Sequence, residues 1–437
     1  MKRRGMRIAA LTVFMAMLLG GCKGSSDPDS LKIKETKKEK TVLTMFLPID
    51  GTGQAVSTYR NAISDYNKAQ EEVEIRVDGI ATGDGFNEAL ERRLEEGGEG
   101  ADLFVVNADR VKDLYAEGYF MDLGSLPVYD QLSESAKMQS KVGDIVYTVP
   151  LQMTAYGLYV NVGRLKEFDL EVPKNREEFL HCCQVLKEGG ITPIGLNRWY
   201  ALTTYTMGVG LAPIYQAENK EEILAGLNDG SVKIGDYMVE GFRFFQELVQ
   251  KGYYGDNITA EETDKIKAGA EGIEKFRNGE NVFLASPLGS EKYIDDVDNG
   301  EIEFVQTGFP VLSDGSVCIP AAGARLCVNA KGKHAKEAYE AAEYLTTMKF
   351  QELARSDSGY PSAITGDKKK EIDERCSDLY EKSLEAGQIP IEDMSLSFTY
   401  WDTIRELCLK VIDGMTPEEA AEEYNQIQAA QLEENLS

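Results

Sequence analysis

Two tryptophans are the most telling side chains in this 437-residue chain, because there are only two and each stands among hydrogen-bonding groups. Trp199 lies in "IGLNRWYALTTY", between Arg198 and Tyr200; Trp401 lies in "SFTYWDTIREL", between Tyr400 and Asp402. An indole beside a carboxylate, a guanidinium or a phenol suits non-covalent recognition. Its face covers a flat C–H surface while the neighbours take up polar groups. The same indole also packs well inside a core, so both roles stay open at this point.

Groups for covalent chemistry are poorly arranged. The histidines number two, His181 and His334, and neither belongs to a metal-ligand or general-base pattern. Cys182, Cys183, Cys318, Cys327, Cys376 and Cys408 contain no CxxC and read as buried free thiols; a bridge between Cys318 and Cys327 across a turn is left open. There is no GxSxG, HExxH or GxxxxGK[ST], and Gly51-x-Gly53 lacks a third glycine. With 74 Asp and Glu, a hydrolase-like carboxylate pair carries no information. The expectation is a binding protein without metal or cofactor, with a secreted hydrolase as the alternative.

The formal charge of −27 repels phosphate backbones, so no nucleic-acid partner is expected. The chain begins with Lys2, Arg3, Arg4 and Arg7, followed by the apolar run Ile8–Leu19 and then Gly20-Gly21-Cys22. That run is too short to cross a bilayer comfortably and reads as a secretory signal. Its end resembles the bacterial lipobox, which implies cleavage after residue 21 and acylation of Cys22. Residues 22–40 have little to bury and read as a flexible, lipidated tether. The expected location is therefore outside the cytoplasm, on the cell membrane.

The elements that would position the tryptophans follow from periodicity. Thr41–Leu47 reads as a buried strand, "EVEIRVDGI" as an alternating one, and "ADLFVVNA" as a third. Helices fall between them, on the stripe Tyr59, Ile63, Tyr66 and on Phe86, Ala89, Leu90, Leu94. The alternation restarts with "AYGLYVN", "NREEFLHCCQVLKEGG", "VEGFRFFQELVQKGY", "ENVFLAS", "GARLCVNA" and "HAKEAYEAAEYLTTM". Helices from Tyr400 and from Pro417 close the chain. Strands alternating with helices indicate mainly parallel sheets flanked by helices, in two α/β units.

The order of "GADLFVVNADRVKDLYAEGYFMDL", "VYTVPLQMTAYGLYVN", "VPKNREEFLHCCQVLKEGGITPIGLN", "FRNGENVFLASPLGS" and "AGARLCVNAKGKHAKEAYEAAEYLTT" resembles the extracellular solute-binding proteins of ABC importers, in the maltose-binding-like, sugar-binding branch. The resemblance implies a two-lobed periplasmic-binding-protein-like α/β fold of type II, hinged at a central cleft. Lobe one would be 41–150 plus 311–365, and lobe two 151–310 plus 366–437. It also implies a monomer that captures an oligosaccharide and delivers it to ABC permease subunits. A peptide or a polyamine is the alternative ligand.

By this resemblance Trp199 and Trp401 line the sugar cleft, with Tyr200 and Tyr400 beside them. From the ends of strands come Asp50, Asn107 and Asp109 as acceptors of hydroxyls, and Tyr156 as a stacking or donating ring. Gly289, Ser290 and Gly323 fall in loops of the family's cleft, where backbone approaches ligand closely. Many relatives carry a tryptophan near the position where this chain has Leu288-Gly289-Ser290.

Overall fold

A computed structural model describes residues 40–49, 57–81, 85–95, 100–295, 302–351, 361–365 and 372–434. The leader, Cys22, the tether up to Glu39, and Asp50 lie outside the described residues. The strands are β1 (Thr41–Phe46), β2 (Val73–Asp78), β3 (Leu103–Val105), β4 (Lys141–Val142), β5 (Ile145–Val146), β6 (Val149–Asn161), β7 (Phe283–Pro287), β8 (Phe304–Thr307) and β9 (Ile319–Val328). Seven of them form one sheet in the order β2-β1-β3-β9-β6-β7, with β8 also paired to β6; β4 and β5 form a separate hairpin.

The first third folds as its apolar runs require. In β1, Leu43 and Met45 enter a first core, and Phe46 enters a smaller cluster on the other face of the sheet; in β3, Leu103 and Val105 join the first core and Phe104 the smaller cluster. A strand buried on both faces needs a continuous apolar run, which "LFVV" supplies. Helices α1 (Ser57–Ala69) and α2 (Phe86–Glu95) follow β1 and β2, and α3 (Val111–Ala116) follows β3. β1 pairs in parallel with β2 and β3.

The rest of the sheet departs from the parallel expectation. β9 runs antiparallel to β3 and β6, and β7 and β8 run antiparallel to β6. The physical reason is that the chain between β6 and β7 is a helical insertion and not a single crossover. It contains α4 (Arg176–Glu188), α5 (Tyr200–Tyr215) and α6 (Gly235–Gln250), which build a core of their own. α7 (Ala335–Leu345) returns to the first core, while α8 (Trp401–Ile412) and α9 (Pro417–Glu434) pack into the second.

The strands β6 and β9 pass through both halves. Val149, Leu151 and Met153 of β6 belong to the first core, and Leu158 and Val160 to the second. In β9, Ile319 belongs to the second, and Ala322, Leu326 and Val328 to the first. Val311 and Val317 also pack in the second core.

Helix α5 has no amphipathic stripe because 14 of its 16 residues are buried. Its threonines are satisfied within the helix: Thr203, Thr204 and Thr206 donate to the carbonyls of Trp199, Tyr200 and Leu202 at 2.8, 2.6 and 2.8 Å. The six cysteines of the described residues are free and buried. Cys318 and Cys327 sit in different cores, so no bridge joins them.

α5 and α6 touch backbone to backbone. A Cβ added at Gly241 would stand 2.4 Å from the Thr206 carbonyl oxygen, which cannot swing away as a side chain could. Gly241→Ala is expected to destabilise the protein by about 2 kcal/mol through overpacking. A denaturant midpoint equal to that of the parent would refute this close packing.

Candidate ligand-binding cleft

Between the two cores lies a cleft of ≈ 440 Å³. Its floor is the β6–β9 pair, through Tyr156, Ala321, Ala322 and Arg325. From the end of β3 come Ala108, Asp109 and Lys112, where the chain passes through a short 3-10 turn (Ala108–Arg110) into α3. From the side of the second core come Trp199, Trp401, Asp402 and the segment from Ile391 to Thr399.

Local chemistry fixes each ring. Asn197 is buried, and its Oδ1 accepts the backbone N–H groups of Trp199, Tyr200 and Ala201 at 3.1, 2.8 and 3.4 Å. These are unsatisfied donors at the start of α5, so this asparagine sets where the helix begins and how Trp199 leaves it. The guanidinium carbons of Arg198 and Arg405 lie 4.8 and 4.7 Å from the centre of the Trp199 ring. Asp264 takes both cations, at 3.6 and 2.9 Å, which ties the indole to α8. Trp401 opens α8, and its ring forms a trio with Tyr156 at 6.0 Å and Tyr200 at 6.4 Å; Tyr156 and Tyr200 are 4.7 Å apart.

The cleft therefore unites Trp199, Trp401, Tyr156 and Asp109, while Tyr200, the third ring of the trio, is not in its wall. Asp109 is exposed and accepts from Asn87 Nδ2 at 3.0 Å; Asn107 donates to the same Asn87 at 2.9 Å and stands next to the cleft, not in its wall. Gly323 lies in the floor strand between lining residues, and a Cβ there would meet the Gln152 side chain at 2.9 Å.

Two expectations are corrected. Tyr400 is fully buried, and its hydroxyl donates to the Pro390 carbonyl. It precedes α8 and enters the second core, while Trp401, one residue on, turns to the cleft. Gly289 and Ser290 do not line this cleft either. Ser290 bonds Ser286 at 2.9 Å in a separate ≈ 200 Å³ cavity that also has Asn197 and Tyr200 in its wall. Gly289, just before Ser290, holds a φ of 96°, and its N–H donates to Glu291 at 2.8 Å.

Several residues of the wall have no signal in the sequence. Glu392 accepts the backbone N–H of Trp401 at 3.1 Å, so it caps α8 with a carboxylate. Burial pushes the Glu392 carboxyl up to about 7, against the pull of that N–H and of Lys112; Asp402 adds to the rise. Asp393 is buried and accepts from Tyr215 at 2.9 Å and from the Ser395 hydroxyl at 2.6 Å. Lys112 and Arg325 complete the charged set. No group of three or more metal-ligating side chains with metal-site geometry occurs among the described residues.

A carboxyl raised on folding binds its proton more tightly in the folded state. Stability should then fall as pH rises from about 4, where the unfolded chain titrates, to about 7, by an amount on the order of 1–3 kcal/mol. Glu392→Gln should remove that fall, matching the parent near pH 5 and melting higher near pH 8. Parallel melting curves for the two proteins across this range would show that the carboxyl is ionised in the fold.

A family model described as bacterial extracellular solute-binding protein matches residues 50–352. The chain is 21% identical over 356 residues to the "Multiple sugar-binding protein" of Streptococcus mutans serotype c, covering 80% of each chain. A family 1 extracellular solute-binding protein from Bifidobacterium longum subsp. infantis has a similar structure: TM-score 0.74, 15% identity, 90% of this chain and 99% of that one. Apo RafE from Streptococcus pneumoniae aligns with a TM-score of 0.69 at 17% identity, over 90% and 99%; RafE has also been solved in complex with raffinose. The fold is two-lobed and mixed α/β, and the chain belongs to the bacterial extracellular solute-binding protein family.

Proposed function

We propose that this member of the family is the sugar-capturing component of an ABC importer, binding an oligosaccharide in the cleft between its cores. The observation that carries the reading is the wall of Trp401, Tyr156 and Trp199 with Asp109 and Asp402 beside it. Sugar rings offer C–H faces for aromatic contact and rims of hydroxyls, which carboxylates accept in charge-assisted hydrogen bonds. The cleft volume of ≈ 440 Å³ falls within the range of small-molecule sites. The sugar-binding name of the streptococcal relative and the raffinose held by RafE agree with it.

Capture is a closure and involves no covalent step. Lobe one (41–150 plus 311–365) and lobe two (151–310 plus 366–437) would swing about the β6–β9 floor, bringing Asp109 and Lys112 onto the tryptophans. Closure expels water, which strengthens each polar contact with the ligand. The closed monomer would then dock on its permease, held at the membrane by the lipid on Cys22 after removal of residues 1–21. A polyamine or cationic peptide is opposed by Lys112 and Arg325, two cations in the same cleft.

The test is titration calorimetry of residues 23–437 with raffinose-type and other neutral and acidic oligosaccharides, beside polyamines and peptides. Trp401→Ala is expected to weaken the best sugar about tenfold or more, near 1.5 kcal/mol of lost stacking. Tyr400→Ala, one residue away, should instead lower the melting temperature, by a core loss of about 3 kcal/mol. Binding of polyamines alone would overturn the sugar reading.

A further inference from the structure

We propose that the captured sugar bears an anionic substituent, and that Lys112 and Arg325 bind it. This rests on the oligosaccharide reading above and names the class of sugar.

The two cations come from different parts of the chain, Lys112 from α3 and Arg325 from β9, and line the same cleft. Both are half-buried. Neither forms an ion pair among the described residues: Arg325 bonds the neutral phenol of Tyr147 while its Nε is buried without an acceptor, and Lys112 lies in the fields of Glu392 and Asp393 without contacting either. Other arginines also leave a buried Nε unbonded, but Arg110 and Arg405 discharge their terminal nitrogens onto Glu91 and Asp264. Arg325 has no carboxylate outlet among the described residues and bonds only the Tyr147 hydroxyl. A desolvated cation without a contacting carboxylate is costly, and burial lowers the Lys112 ammonium below its ordinary range against the pull of Glu392 and Asp393.

The acids of the cleft are engaged elsewhere. Asp109 takes Asn87, Asp393 takes Tyr215 and Ser395, Glu392 takes the Trp401 N–H, and Asp402 lies 3.9 Å from Arg405. An anionic oxygen in direct contact with the two cations is therefore left for a ligand to bring. A carboxylate, sulfate or phosphate oxygen suits a guanidinium and an ammonium equally well. The field of a chain with formal charge −27 does not gather small anions from solution, so these cations act only at contact. An anion delivered on a ring that the aromatic wall already holds meets that condition; a free inorganic anion does not.

The experiment compares matched pairs by calorimetry on residues 23–437. Oligogalacturonides and glucuronate-bearing xylo-oligosaccharides are set against their carboxyl-reduced forms. Sulfated and phosphorylated oligosaccharides are set against their desulfated and dephosphorylated forms. At least one anionic member should bind tenfold or more tighter than its neutral twin, and the pair that responds identifies the group. Lys112→Met and Arg325→Met should each cut that ratio to threefold or less. Neutral members binding as tightly as their anionic twins would overturn the inference and leave the sugar reading standing. Silence across every pair would overturn both. The comparison on the parent protein decides the matter even where a variant folds poorly.

Discussion

Two long antiparallel strands, β6 and β9, impose most of what this molecule can do. Each contributes apolar side chains to the first core at one end and to the second core at the other. Their register pairs Tyr156 with Ile319, Met153 with Ala322 and Pro150 with Arg325. Because the strands are shared, the cores cannot separate without breaking this ladder. Ala324 holds a φ of 50° beside Arg325, in a region that is sparsely populated by residues other than glycine. Strain of this kind is kept where surroundings over-determine it, here at the floor of the cleft.

The cleft brings together charges that burial does not favour. A carboxyl in a half-buried wall is shifted toward its neutral form, and an ammonium likewise, because neither is fully solvated. Glu392 and Lys112 shift in opposite directions for this one reason, each partly opposed by the other's field. A site in that condition is poised for a ligand that restores solvation by hydrogen bonds. Its aromatic wall supplies the rest of the contact without requiring any charge.

Position within the wall depends on helix ends. Asn197 and Glu392 each accept unsatisfied backbone donors, and each thereby fixes the first turn of a helix that presents a tryptophan. Tyr400 stands just before α8 with a non-helical backbone (φ −126°, ψ −31°), so its ring leaves the chain in a different direction from that of Trp401.

The strands of the first third, α1, α2, α4, α6 and the closing helices were legible because each buries one face or one run, and burial of that kind leaves a period in the sequence. The family resemblance added the two-lobed fold, and the structure places Trp199, Trp401, Tyr156 and Asp109 around one cleft. α5 was not legible, since a helix buried on all sides has no stripe to read. Tyr400 was chosen as the neighbour of Trp401, and Gly289 and Ser290 by the family resemblance, and neither ground specifies which cavity a residue faces. Lys112, Arg325, Glu392 and Asp393 were invisible for a further reason. In a chain with 47 basic and 74 acidic residues, no charge stands out until the fold shows which ones lose water and which lack a partner. Composition and periodicity thus determined the elements and the absence of any recognisable catalytic motif. Only the tertiary structure decided which groups share the cleft, because desolvation and pairing belong to the assembled fold and not to any one residue.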